Sequence, residues 1–392
     1  MNRFPKTLSV EQLKKFDVLL AQSQDNELVL PVDTTKYTFG GMASAIQSVI
    51  TWANNSEENV LRITPSSSKD IISEILRRPH KFAAAMMAKS LFLNNEDVKQ
   101  KIYLQAKEKI EEQERNTFGL RHGSLCWFTF VDHSTKRFVR NFYLNNNSNI
   151  SEPRQSAQLT AVIKAMIEQS LSASGGVNLL QADETELIGK IFYELFLNSH
   201  QHGTRGNIRS EWLKKGVRTV YTYGINLNEK GVEGTLKSEP ILSKYLSNFQ
   251  DRNQKRFIEI SIVDSGLGYC GRWMADNKDP NDETQISLQK EYDIFKKCFQ
   301  FRQTSTSDSS KGYGLPIVMD RLTKMRGFLK IRSGRLSLYR DFIETPYKSG
   351  EQETYDFCDW DNQEIATKKL AKLPKLAGTS ITLLIPLEAK DE

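Results

Sequence analysis

The stretch Glu184–Gly203, ETELIGKIFYELFLNSHQHG, decides how the rest of the chain is read. Leu187, Ile188, Ile191, Phe192, Leu195 and Phe196 recur at helical spacing, with Glu184 and Glu186 among them, so the pattern predicts a long amphipathic helix with one buried face. Gly203 and Gly206 stop it. Within it Glu194 and Asn198 stand at i and i+4 and share one face, one turn apart. A carboxylate one turn from a carboxamide sets a base beside a neutral oxygen, and a hard cation such as Mg²⁺ takes oxygen ligands of that kind.

Downstream, FIEISIVD (Phe257 to Asp264) alternates as a strand does and runs straight into the glycine turn SGLGYCG. Asp264, at the strand end, can accept a hydrogen bond from an exocyclic amine such as that of adenine. Gly266 and Gly268 let the turn approach a ligand closely. Further on, Ser309, Ser310, Lys311, Gly312, Tyr313, Gly314 and Leu315 lead directly into a helix expected from near Pro316 to Gly327. Backbone amides of such a turn, with the free N–H groups of a helix start, make an anion site. Lys311 adds a point charge suited to phosphate, and Pro316 is tolerated in a first helical turn. FLKIRSG and RLSLYRDF are expected as adjacent antiparallel strands. GTSITLLIPL (Gly378 to Leu387) is expected as a final strand, begun by Gly378 and Thr379. Each piece alone is common by chance. Their order is what is specific, because each lies on the element its chemistry needs.

That order resembles the GHKL (Bergerat-fold) ATP-binding domain over about residues 185–387. Glu194 and Asn198 resemble its N box, Asp264, Gly266 and Gly268 its first glycine box, Gly312, Gly314 and Leu315 its second, and Gly378 with Thr379 its last motif. The segment ELFLNSHQHG is most similar to the N box of histidine kinases and anti-sigma-factor serine kinases. The resemblance implies an α/β sandwich, a mixed sheet with helices on one face. It also implies ATP and Mg²⁺ as ligands: Asn198 as the metal ligand, Asp264 on the adenine amine, Thr379 beside it, and the second glycine box on the phosphates. The implied function is a slow ATPase working as a conformational switch, with Glu194 and Lys311 as its catalytic residues. The alternatives are a protein serine/threonine kinase like the anti-sigma kinases and a non-catalytic nucleotide sensor. A protein partner and a homodimer are implied by analogy with the family.

The rest of the chain sets the frame. Strand, helix, strand, helix order before residue 100 predicts a small α/β regulatory or interaction domain over 1–115. A connecting region follows over 116–180, in which Ser124–His133 and Arg137–Leu144 are expected to form a hairpin. The ATP-binding domain is expected over 181–392, with insertions at about 207–256 and 344–376. A polar stretch at 272–287 suits a lid lying within 272–312. The chain has 392 residues, with 54 basic and 48 acidic side chains. That mild excess permits contact with nucleic acid without demanding it. No apolar run is long enough for a membrane span, and the first residues lack a secretory pattern, so a cytoplasmic protein is expected. Cys126, Cys270, Cys298 and Cys358 are too scattered for a zinc or disulfide framework.

Overall fold

A computed structural model describes residues 1–33, 38–64, 70–145, 150–172, 181–227, 239–249, 255–279, 283–300, 314–350 and 356–387. The chain begins with β1 (Asn2–Arg3), α1 (Val10–Gln22), β2 (Glu27–Leu30), α2 (Gly41–Asn54), β3 (Val60–Ile63), α3 (Ile71–Leu76), α4 (Pro79–Met87), β4 (Ser90–Leu93), β5 (Glu96–Asp97) and α5 (Lys99–Arg115). It continues through β6 (Leu120–His122), β7 (Leu125–Val131), α6 (Ser156–Ser172), α7 (Ala182–His202), β8 (Val217–Leu227), α8 (Pro240–Ser247) and β9 (Lys255–Val263). The last elements are α9 (Gly268–Asp276), α10 (Leu288–Cys298), α11 (Gly314–Lys324), β10 (Phe328–Gly334), β11 (Leu336–Asp341), β12 (Cys358–Asp359) and β13 (Leu376–Leu387). The class is mixed α/β, as expected, and the strands form two sheets.

The smaller sheet has the order β1-β2-β3-β4-β5, with the first four strands parallel. Strands that pair in chain order through right-handed crossovers return every helix to the same face. On that face Leu28, Leu30, Leu61, Ile63 and Leu91 are buried. The larger sheet has the order β12-β11-β10-β13-β9-β8-β7-β6. All its pairings are antiparallel, so the expectation of a mixed sheet is corrected here. One face buries Phe128, Phe130, Ile260, Ile262, Leu329 and Leu383 beneath α6, α7 and α11. Gly189 lets two of these helices meet closely, since a Cβ there would run into Thr160 of α6.

The period of two sends Trp127, Val217, Tyr221 and Val263 to the opposite face. There they share one core with α1, α2 and α4. Helices therefore cover both faces of the larger sheet. The segment expected to stand as a separate N-terminal domain supplies one of these covers. Its helix α2 is buried on nearly every side, as a helix that is apolar all round must be.

Several expectations are corrected. The connecting region contributes β6, β7 and α6 to the larger sheet and its core. The hairpin is β6 with β7, turning at Gly123, whose φ is +61°. Residues 137–144 form no strand. Phe138, Val139, Phe142 and Tyr143 instead drop into the core from turns. The expected insertion at 207–256 contains β8, which lies between β7 and β9 at the heart of the sheet. The described part of the expected lid is largely helical, as α9 and α10. Two of its acidic residues, Glu283 and Glu291, are buried: Arg335 Nε donates to Glu291 Oε2 at 2.6 Å, and Arg335 Nη2 donates to the carbonyls of Glu283 and Ile286. The four cysteines are free thiols. Among the described residues no helix is long and apolar enough to cross a membrane.

Candidate functional site

Helix α7 begins one turn earlier than its apolar pattern does, through a capping box in which the N–H of Gln181 donates to Glu184 Oε2 at 3.0 Å. Its C-terminal half carries the chemistry. At its end Gly203 lies against Asp264, and a Cβ at Gly203 would sit 2.5 Å from Asp264 Cγ. Gly266 packs on the same spot, since its Cβ would meet Gly203 Cα at 2.7 Å. Both glycines are therefore required by close approach rather than by turn shape alone.

Asp264 is 7% exposed. Its Oδ1 accepts the N–H of Gly266 at 2.9 Å and the N–H of Thr379 at 3.2 Å. The N–H of Asp264 donates to the carbonyl of Thr379 at 2.9 Å, and the N–H of Gly378 to the carbonyl of Gly266 at 2.8 Å. Burial lifts the Asp264 carboxyl to about 6, with those two amides partly opposing the rise. Gly378 has φ +70° and its backbone presses on Asp264, leaving no room for a Cβ. The structure thus brings Asp264, Gly266 and Thr379 into one knot.

The other expected residues lie along α7. Glu194 and Gly203 are about two and a half turns apart, roughly 13 Å along the axis. Gly314, the first residue of α11, faces Glu194, and a Cβ there would collide with Glu194 Oε2. Burial raises the Glu194 carboxyl above its usual range, opposed by the charge of Arg321. Asn198 lies between the two ends. Its Nδ2 is buried and has no hydrogen-bond partner among the described residues. Leu315 is buried in the core beneath the sheet, so its side chain packs. Lys311 and Gly312 lie outside the described residues.

Sequence reasoning passed over three residues that brace this arrangement. Ser333, on β10, accepts the N–H of Tyr269 at 2.9 Å and lies 3.5 Å from Thr379 Oγ1. It also sets the space allowed to Gly268, whose Cβ would fall 2.7 Å from the Ser333 hydroxyl. Ser265 Oγ accepts the N–H of Val217 and donates to its carbonyl, tying the turn after β9 to β8. Arg321 is the cation facing Glu194, and its Nε is buried without a partner among the described residues. A lone serine or arginine in a strand or helix gives no motif, so none of the three could be read in advance.

The two histidines of the motif are accounted for in other ways. His200 Nδ1 lies 3.1 Å from the Tyr143 hydroxyl, and burial lowers its pKa to about 3, so it is neutral. His202 Nδ1 lies 3.2 Å from Arg209 Nη2. Among the described residues no group of three or more His, Cys, Asp or Glu side chains could hold a metal ion alone. The Asn198 carboxamide suits a shared site. Its buried polar end is unpaired, and its nitrogen and oxygen are interchangeable by rotation. With the oxygen turned there, Asn198 would offer a hard donor, one turn from the Glu194 carboxylate, to a Mg²⁺ that drew its other ligands from phosphates and water. No protein-family model matches the chain, and no curated protein matches it.

Proposed function

We propose that this face of the larger sheet is a GHKL-type site for Mg²⁺ and ATP, within a Bergerat-like sandwich, and that the chain is a slow ATPase used as a conformational switch on a protein partner. The observation that carries the reading is one buried carboxylate. Asp264 Oδ1 is held by the amides of Gly266 and Thr379, two motifs more than a hundred residues apart. Its other oxygen has no hydrogen-bond partner among the described residues and would accept from the exocyclic amine of adenine. Toward the other end of α7, Glu194 meets the start of α11, where helix N–H groups would receive phosphates.

Asn198 would hold a Mg²⁺ together with the phosphates, and that ion would neutralise charge on the γ-phosphoryl group. Asn198 presents its carboxamide oxygen one turn from the base. Glu194, its proton affinity raised by burial, orients a water and accepts its proton as the water oxygen bonds to the γ-phosphorus. The bond from that phosphorus to the bridging oxygen breaks, leaving ADP and phosphate. Lys311 and the backbone amides of the second glycine box would meet the charge that develops on the phosphoryl oxygens.

The test is incubation of the purified chain with Mg²⁺ and γ-labelled ATP, following free phosphate and labelled protein together. The expected result is slow release of phosphate, abolished in Glu194→Ala with binding retained, and loss of binding in Asp264→Asn. Label on protein would replace the ATPase with a kinase. Binding without either product would leave a sensor. Absence of nucleotide binding would sink the reading.

A further inference from the structure

Helix α2 lies on the face of the larger sheet opposite α7, yet it bonds to the strand that enters the candidate site. Gln47 is fully buried. Its Nε2 faces the carbonyl oxygens of Arg332 at 3.1 Å, Ala377 at 3.3 Å and Gly378 at 3.4 Å. One turn on, Thr51 Oγ1 accepts the N–H of Ala377 at 3.0 Å. One turn back, the N–H of Ala43 donates to the Tyr221 hydroxyl at 3.2 Å. Just before it, the N–H of Gly40 donates to Glu259 Oε1 at 3.3 Å. Ala43, Gln47 and Thr51 stand at i, i+4 and i+8, one stripe of the helix. That stripe, with Gly40 before it, registers α2 against β8, β9, β10 and β13.

A sheet does not ordinarily need a side-chain amide from a neighbouring helix. Here the register between β10 and β13 shifts at Ser333 and Gly334. Such an irregularity leaves ladder groups without their strand partners, and buried backbone groups must be paired. Gln47 and Thr51 supply that pairing at the point where the chain turns into Gly378 and Thr379. The orientation of the Gln47 amide follows, since the reverse would set an oxygen against three carbonyl oxygens. Its own Oε1 is buried with no partner among the described residues. An unpaired buried acceptor is costly, so this side chain is a poor choice for stability alone.

We propose that Gln47 is a positioning residue of the candidate site, a role that rests on the adenine reading of Asp264. Together with Thr51 it fixes the backbone of Ala377 and Gly378. This aims the N–H of Thr379 at Asp264 and so holds the carboxylate in line with the exocyclic amine of the base. The N-terminal helices are then part of the apparatus that selects the base, and whatever shifts α2 shifts that selection.

The experiment compares binding of ATP and inosine triphosphate, which lacks the exocyclic amine, to the full chain and to Gln47→Leu and Thr51→Val. The wild type is expected to prefer ATP. Each variant is expected to lose about three- to tenfold in ATP affinity, the worth of one hydrogen bond, with affinity for inosine triphosphate unchanged. Equal weakening of both ligands with a lowered melting temperature would mean that Gln47 only supports the fold, and the proposal would fall. Unchanged discrimination in both variants would overturn it while leaving the ATP site intact. A wild type that binds neither ligand, or does not distinguish them, would remove the adenine reading and this proposal together. Thr51→Val keeps the side-chain shape and decides the question if Gln47→Leu does not fold.

Discussion

Asp264 is expensive to keep. Burial is the larger influence on its carboxyl and lifts it to about 6, while the amides of Gly266 and Thr379 pull it back. The folded chain holds this proton where the unfolded chain, with a pKa of about 4, has lost it. Stability therefore falls as the pH rises between about 4 and about 6, and the loss persists above that window. Asp264→Asn keeps an oxygen for both amides and removes the buried charge. It is expected to raise stability at pH 8 by about 1–2 kcal/mol, measured by urea unfolding. The same change is expected to abolish ATP binding, because the free position now carries an N–H₂ facing the adenine amine. In the wild type, ATP affinity is expected to weaken toward about tenfold per pH unit below pH 6, as the acceptor becomes protonated. A flat binding profile from pH 5 to 8 would count against Asp264 as the group that meets the base. The sequence announced Asp264, Glu194 and the glycines because turn chemistry and helix spacing are local. It was silent on Ser333, Ser265 and Arg321, whose roles exist only once distant elements meet.

At the scale of elements, β8 is locked by charge to the turn that follows β7. Arg218 and Asp132 are both buried, and Arg218 Nε and Nη2 grip the two Asp132 oxygens at 2.8–3.1 Å. The guanidinium also donates to the Tyr143 hydroxyl at 2.9 Å and lies over Phe130 at 4.8 Å. Burial lifts the Asp132 carboxyl above its usual range against the pull of Arg218, whereas the Arg218 guanidinium, despite burial, is held charged by Asp132 and Tyr143. Removing one partner strands the other in a dry interior. Asp132→Ala is therefore expected to cost about 3–5 kcal/mol. Arg218→Met combined with Asp132→Leu should recover much of that loss, and thermal melts of the single and double variants would show it. A single variant as stable as the wild type would mean that water reaches the pair. The same region shows where pattern reading fails. RFVRNFYL has strand-like composition, yet Phe142 and Tyr143 are carried by turns onto Phe130 and Phe196. Aromatic packing across elements overrides local β preference. By contrast α7, β9, β10, β11 and β13 were legible, because each sits at one clear boundary between core and polar surface or glycine turn.

At the scale of the whole molecule, the N-terminal helices and the larger sheet are one structural unit. The order of strands and helices before residue 100 was readable. What they pack against was not, although GMASAIQSVITWAN lacks the polar face of a helix that meets solvent. Trp127, Val217, Tyr221 and Val263 depend on those helices for cover. At about 1.5–3 kcal/mol for each fully buried large side chain, exposing these four would cost roughly 6–12 kcal/mol. That is comparable to the entire stability of an ordinary domain, about 5–15 kcal/mol. Removal would also strip α2 from Glu259 and Tyr221, leaving a buried carboxylate and its hydroxyl partner facing a vacated surface. The fragment 116–392 carries every residue of the candidate site that touches Asp264, so site composition alone would predict that it binds nucleotide. The packing predicts the opposite: it is expected to be aggregated or molten, with weak near-ultraviolet circular dichroism and no measurable ATP binding. Size-exclusion chromatography and circular dichroism beside the full chain decide between the two. A monomeric fragment with sharp tertiary signals would show that the helices are a detachable regulator, and α2 would then be an optional contact on the back of a self-sufficient sheet.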